Sequence, residues 1–91
     1  MDKKRIYQEK IKAQLEKVSP KIYQLKAKAE KANVEDEIDY YKQIEKLKAV
    51  RDLLRLELRE LKEIEEDPGE NREKRIQNSM NDLKETLDLD I

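Results

Sequence analysis

The chain has 91 residues, of which 47% are charged and 4% aromatic, with 21 basic against 22 acidic side chains. This length allows one domain, and the near-zero net charge argues against a self-repelling disordered chain. The chain contains no cysteine and no histidine, which excludes disulfides, thiolate chemistry and the zinc sites that need those residues.

The composition favours helices. Strong helix formers (Ala, Leu, Glu, Lys, Arg and Gln) dominate a sequence that has one glycine and two prolines. A small domain buries a limited share of its surface, so long helices with a narrow apolar seam are expected rather than a compact globule. No apolar run suits a signal peptide or a membrane span. A soluble cytoplasmic protein is therefore the expectation.

The first predicted helix covers about residues 2–32 and is interrupted at Ser19-Pro20. Pro20 removes the backbone hydrogen bond to Glu16, so this pair either kinks the helix or restarts it with Ser19 as the cap. Apolar residues recur along the helix at spacings of 4 and 3, the heptad pattern of a coiled-coil seam. The seam consists of Ile11, Leu15, Val18, Ile22, Leu25, Ala29 and Ala32.

The second predicted helix covers about residues 35–66, after a weak break at Asn33. Its seam has the same spacing, but the phase of the pattern slips by one residue between the two helices. A turn explains this slip without strain, whereas a continuous helix would have to unwind locally. The second seam consists of Tyr40, Ile44, Leu47, Arg51, Leu54, Leu58 and Leu61.

An antiparallel reversal between these helices is the preferred interpretation. It places Ile11 opposite Leu58 and small Ala29 opposite large Tyr40, which are reasonable packing pairs. The charge distribution also favours pairing of these helices. The first 32 residues carry 10 basic and 4 acidic side chains, whereas the next 34 residues carry 7 basic and 11 acidic side chains. The alternative is one long continuous helix in an intermolecular coiled coil.

The third predicted helix covers about residues 68–88. The sequence Asp67-Pro68-Gly69-Glu70 has the pattern of a capping box, with Asp67 as N-cap and Pro68 as the first helical residue. Its apolar positions are Ile76, Met80, Leu83 and Leu87. We expect this helix to pack along the more apolar flank of the second helix, which contains Val50, Leu53, Glu57 and Ile64.

These elements predict a single all-α domain over residues 1–91. Its expected architecture is an antiparallel coiled-coil hairpin with a shorter third helix, similar to a three-helix bundle at one end. Only the end away from the hairpin tip would be three helices thick. The chain end, residues 87–91, alternates acidic and apolar residues; it is interpreted as a fraying helix end, with a docking motif as the alternative.

Catalysis is not expected. General acid–base chemistry usually uses histidine or a carboxylate in a pocket, and the acidic residues here fall on predicted solvated faces. Calcium-loop, phosphate-loop and dinucleotide-binding motifs do not occur in the sequence. We therefore predict no catalytic residues, no metal ligands and no cofactor.

Arg51 is the one charged residue within the predicted seams. A single polar residue at such a position often fixes the register of a coiled coil at a cost in stability. Its long side chain can also carry the charge to the edge of the seam. Arg51 is therefore a candidate register residue, with partner binding as the alternative.

A basic flank runs beside both seams and forms one groove if the helices pair as a hairpin. It is a candidate anion-binding surface for nucleic acid or acidic membrane. The simpler interpretation is a solvated face, because most of its cations have acidic neighbours one helical turn away. With a net charge of −1, neither nucleic acid nor membrane is an expected partner. The flank consists of Arg5, Lys12, Lys26, Lys48, Arg55 and Lys62.

Self-association is expected, because two helices alone should leave the seam open at the hairpin tip. Ile22, Leu25, Ile44 and Leu47 would then be uncovered on one side. Tyr23, Val34, Ile38 and Leu56 fall outside the seam altogether. A homodimer is the commonest way to cover such residues, and a protein partner for the charged faces is the further expectation.

Two segments carry a resemblance to a known group of proteins. The stretch Asp39–Ala49, DYYKQIEKLKA, follows the lysine- and alanine-rich Leu25–Ala32, LKAKAEKA. Together they resemble a largely uncharacterised group of small bacterial coiled-coil proteins found in cyanobacteria and proteobacteria, some of them associated with stress. The resemblance implies a coiled-coil fold and a possible stress-related role, and it implies no catalytic or ligand-binding residues.

Overall fold

The structure is a computed structural model that describes residues 2–88. It confirms that the chain is all-α, with no strand in the described residues. The helices are α1 (Lys3–Leu15), α2 (Val18–Lys31), α3 (Val34–Glu63) and α4 (Glu70–Asp88), and together they measure 50 × 20 × 18 Å. Of the alternating chain end, residues 89–91 lie outside the described residues.

The first helical region bends at Glu16 and Lys17, which separate α1 from α2. Both residues keep right-handed helical dihedral angles, so the chain changes direction without leaving helical conformation. Pro20 explains the position of the bend, since a proline ring collides with the carbonyl group four residues earlier, that of Glu16. Ser19 is not the cap that the sequence suggested, because α2 begins at Val18. Pro20 is then its third residue, where a backbone N–H has no helical partner in any case.

The boundary between α2 and α3 consists of Ala32 and Asn33, and Asn33 caps α3. The Asn33 Oδ1 atom accepts a hydrogen bond of 2.9 Å from the backbone N–H of Asp36. The first turn of α3 is acidic, and the last turn of α2 contains Lys28 and Lys31. Both placements are favourable for the helix dipoles.

The hydrophobic core follows the predicted seams. Every seam position is buried or half-buried, and no seam residue has an exposed side chain. The fully or nearly fully buried apolar residues are Ile11, Val18, Ile22, Leu25, Ala29, Ile44, Leu47, Val50, Leu54, Leu61, Ile76 and Leu83. Helix α2 packs on α3, α4 packs on α3, and α1 contacts both α3 and α4.

The expectation of an open seam at the hairpin tip is wrong. Ile22 is 8% exposed, and Leu25, Ile44 and Leu47 are at most 1% exposed, although α2 and α3 form this part of the seam. Around Ile22, the long side chains of Tyr23, Lys26 and Lys48 line the adjoining groove. Their stems can cover apolar atoms while the polar ends remain in water.

The connection between α3 and α4 differs from the sequence-based prediction. Helix α3 ends at Glu63 and α4 begins at Glu70, where the Glu73 N–H donates to the Gly69 carbonyl group. The Asp67 carboxylate instead accepts a hydrogen bond of 3.3 Å from the backbone N–H of Lys4, in the first turn of α1. Asp67 thus serves an N-terminus more than sixty residues away, which a local capping pattern does not reveal.

Helix α4 lies along the predicted flank of α3. Arg72 and Arg75 both contact the Glu57 carboxylate, and Arg72 also pairs with Glu60. Val50 on the same flank is 8% exposed. Leu53, however, remains 55% exposed, so α4 covers only part of this flank.

Candidate functional site

A shallow basic groove lies between α2 and α3. It has a volume of about 210 Å³ and brings together three of the predicted candidates: Lys26 from α2, and Lys48 and Arg51 from α3. Ser19, Ile22 and Tyr23 complete its lining. The groove combines cationic ends with one aromatic ring and an apolar floor, a combination that can hold an anionic or acidic ligand.

Arg51 reaches the groove from its seam position. Its side chain is 22% exposed, and its Nε atom donates a hydrogen bond of 3.2 Å to the Asp52 carboxylate. Asp52 is exposed and also lies 3.9 Å from Arg55. The guanidinium group therefore sits at the edge of the seam beside an exposed acid.

The rest of the basic flank is dispersed and partly neutralised. Arg5 pairs with Glu9 at 3.3 Å, and Lys48 approaches Glu45 at 3.9 Å. Lys12, Lys26 and Lys62 are exposed, and no carboxylate in residues 2–88 forms an ion pair with them. Arg5, Lys12, Arg55 and Lys62 do not line the groove. Only two of the six predicted cations, Lys26 and Lys48, therefore line the groove, where Arg51 joins them.

An apolar surface occupies the first two turns of α3. Val34, Ile38 and Tyr41 are 72%, 51% and 44% exposed, and their spacing of 4 and 3 places them on one face of the helix. We call these three residues the tip stripe. Tyr23, on α2, is 78% exposed. From the sequence, Tyr23, Val34 and Ile38 were expected outside the seam, and the spacing of Val34, Ile38 and Tyr41 is the signal that these three form one surface.

A second open groove lies at the opposite end of the molecule. It has a volume of about 430 Å³ and is formed by the connection between α3 and α4 together with Arg72. Acidic side chains of this connection line it, while Arg72 is already paired with Glu57 and Glu60. No group of three metal-ligating side chains in residues 2–88 could hold a metal ion.

The contacts that join the helices at this end were not predicted from the sequence. Lys4 donates from its ammonium group to the Ile64 carbonyl group at 2.9 Å, and Gln77 donates to the Tyr7 hydroxyl at 3.1 Å. Lys3 lies 3.7 Å from Glu73. These partners are far apart in sequence and have no periodic signature. They hold α1, α3 and α4 together and create no reactive arrangement.

Comparison with protein-family models, curated proteins and solved structures finds no match to this chain. The resemblance to bacterial coiled-coil proteins therefore stays a prediction. Within residues 2–88, none of the helices is both long enough and apolar enough to cross a membrane.

Proposed function

We propose that this chain is a non-catalytic interaction protein, an antiparallel coiled-coil hairpin with a third helix that self-associates and presents charged helix faces to a protein partner. The tip stripe is the observation that carries this proposal. The seam residues are covered within one chain, yet three apolar side chains on one face of α3 remain in water. Leaving a large apolar side chain exposed costs about 1.5–3 kcal/mol relative to burial, so a further contact at this face would be favourable.

The antiparallel hairpin is supported by contacts between distant residues. The start of α1 meets the end of α3 through the Lys4–Ile64 hydrogen bond, while α2 and α3 are separated by two residues. Ser19 and Arg51 line the same groove, as the proposed alignment requires.

A disulfide crosslink tests this topology in a chain that has no native cysteine. The combined substitutions Ile11→Cys and Leu58→Cys should form an intramolecular disulfide under mild oxidation, because the proposed register places these positions opposite each other. The control pair, Ile11→Cys with Leu47→Cys, is out of register and should not close within one chain. A crosslink formed only between chains would reject the hairpin in favour of the extended helix.

Self-association is tested by its dependence on concentration. The melting temperature should rise as the protein concentration increases, because a ligand or second subunit that binds only the folded state stabilises it by mass action. Light scattering should give about twice the chain mass. A well-folded monomer whose melting temperature does not change with concentration would contradict this part of the proposal.

The protein partner is tested by chemical crosslinking and mass spectrometry of the intact chain in cell lysate. Reproducible crosslinks from the charged faces of α2 or α3 to one protein are expected. Crosslinks only between copies of the chain would reduce the proposal to self-association. The stress-related role is included in this proposal on the basis of the sequence resemblance alone.

The second candidate function is anion binding, favoured by the groove of Lys26, Lys48 and Arg51. Binding of DNA, RNA or anionic vesicles should appear at low ionic strength and weaken as salt is added. Replacing Lys26 and Lys48 by glutamine should weaken it further, while Lys10→Gln combined with Lys84→Gln, at exposed sites outside the groove, serves as the charge-matched control. Failure of all three probes to bind at low ionic strength would eliminate this candidate.

A further inference from the structure

The sequence around the tip stripe has an approximate two-fold symmetry. Ile38 stands at the centre, with Val34 four residues before it and Tyr41 three residues after it. Glu35 lies next to Val34, and Lys42 lies next to Tyr41. Each end of the stripe therefore has an apolar residue beside a charged residue, and the charges at the two ends have opposite signs.

Glu35 and Lys42 lie on one side of the stripe. They are seven residues apart, which puts them on the same helical face, about one residue's rotation from the apolar positions. Both side chains are exposed, and neither forms an ion pair among the described residues. On the other side of the stripe α3 faces α2, so only the side with Glu35 and Lys42 is open to a partner helix.

We propose that the tip stripe is the contact surface of a two-fold dimer, in which α3 of one chain packs antiparallel on α3 of a second copy with the symmetry axis at Ile38. This inference rests on the proposed self-association and specifies its interface. Ile38 then meets its own copy. Val34 lies within one residue, about 1.5 Å along the helix, of the position opposite Tyr41 of the other chain, and Glu35 lies equally close to the position opposite Lys42. The Glu35–Lys42 pair occurs twice, once on each side of the axis.

Self-complementarity favours a second copy over an unrelated helix. A two-fold contact pairs each residue with its symmetry mate, so a face with a central apolar residue and opposite charges at its two ends matches itself. Three apolar side chains per chain are few compared with the roughly 20–30 residues a side of a stable interface, so a weak dimer is expected.

Sedimentation velocity of the full chain, from micromolar to millimolar concentration, tests the interface with the variant Ile38→Glu. This change should weaken dimerisation by at least about tenfold, because it places two like charges on the symmetry axis. Leu56→Glu is the matched control, since Leu56 is 45% exposed and lies 18 residues, about 27 Å, further along the same helix. It should dimerise as the unmodified chain does. Circular dichroism checks that both variants stay helical.

Charge exchange provides a second test that leaves the apolar surface unchanged. Glu35→Lys alone and Lys42→Glu alone should each weaken the dimer, because each change places like charges opposite each other. Added salt should then weaken these variants less than it weakens the unmodified dimer. The two changes together should restore dimerisation, because the opposite charges face each other again. Failure of the double variant to recover would overturn the antiparallel alignment.

Cysteine at the axis gives a third measurement. Ile38→Cys should form an interchain disulfide rapidly under mild oxidation, since the two copies approach at this position and the chain has no other cysteine. Leu56→Cys should not. If the unmodified chain stays monomeric at millimolar concentration, both the self-association and this interface are wrong. If it dimerises but Ile38→Glu has no effect, the interface alone is wrong.

Discussion

The two ends of this molecule are built differently. The tip, residues 22–47, contains parts of α2 and α3, and its interior is a run of apolar seam residues. The base contains α1, α4 and the second half of α3, and several polar links cross between its helices. The tip exposes the apolar stripe on adjacent turns of α3, whereas the base exposes Leu53 and Leu56 and joins its helices through several ion pairs.

This difference shows how a chain with 47% charged residues distributes its few apolar side chains between the buried seam and the exposed surface. In the tip the seam between α2 and α3 is buried along its length, and the end of α4 reaches the start of α2, where Leu87 and Gln24 line one groove. The base, with its bent first helix and its long α3–α4 connection, uses hydrogen bonds and charges to fix where each element lies. Apolar residues outside the seam are then free for intermolecular contact.

The largest expected effect comes from removing a buried leucine at each end. Leu61→Ala in the base and Leu47→Ala in the tip should each lower the free energy of unfolding by about 2–5 kcal/mol, because both side chains are fully buried. The loss should be larger for Leu61, since two helices can close around a cavity more easily than three. Chemical denaturation measures the free energy of unfolding of both variants. A larger loss for Leu47→Ala than for Leu61→Ala would contradict the proposed difference between the tip and the base.

The charge cluster of the base is the next test. Glu57→Gln should lower the free energy of unfolding by about 1–2 kcal/mol, because the Glu57 side chain is 13% exposed and contacts both Arg72 and Arg75. Glu9→Gln, which removes the exposed pair with Arg5, is the control and should cost no more than about 0.5 kcal/mol. Equal losses in urea denaturation would show that the cluster does not anchor α4.

The start of α3 at the tip depends on its cap. Asn33→Ala should lower the free energy of unfolding by about 1 kcal/mol, because the backbone N–H of Asp36 loses its side-chain acceptor. Asn33→Asp keeps an acceptor at this position and should stay close to the unmodified chain. Thermal unfolding followed by circular dichroism compares the two, and no loss for the alanine variant would mean that the cap contributes nothing.

Arg51 lies between the tip and the base. Its replacement should give the smallest change in the free energy of unfolding, and this change should be a gain rather than a loss. Arg51→Leu should raise the free energy of unfolding by up to about 1 kcal/mol, or the melting temperature by a few degrees, because its only observed ion-pair partner among the described residues is exposed Asp52. Arg51→Gln removes the charge without adding an apolar contact and should not produce this gain. A marked loss of stability for Arg51→Leu would show a specific partner that the exposed pair does not explain.

Heptad spacing was sufficient to predict which residues form the core. Residues that alternate at spacings of four and three lie on a single face of a helix, so that face is the one that packs against the other helices. It predicted the all-α class and the flank occupied by α4. It did not predict the role of Asp67 or Lys4, since their contacts depend on where the ends of α1 and α3 meet in space. The bend at Glu16 was predicted only as a choice between a kink and a restart, because Pro20 permits both.

The basic groove was predictable in part. Six cations along one flank were identified from their positions, but Lys26, Lys48 and Arg51 line the groove because they lie at the same height on facing helices. That selection depends on the register between α2 and α3. The closure of the seam at the tip was not predicted, because it depends on how α2 and α3 approach each other and on where α4 ends, beside Lys21 and Gln24.

The contacts of Lys4 have a consequence for the order of folding. Helices α2 and α3 meet across two residues, so their pairing closes a short loop, whereas the Lys4–Ile64 contact joins residues 60 apart in sequence. Closing a longer loop costs more entropy, so we expect α2 and α3 to pair before α1 docks. Lys4→Met should then accelerate unfolding while leaving the folding rate nearly unchanged, as stopped-flow denaturant jumps would measure. A slower folding rate in this variant would place the docking of α1 within the rate-limiting step.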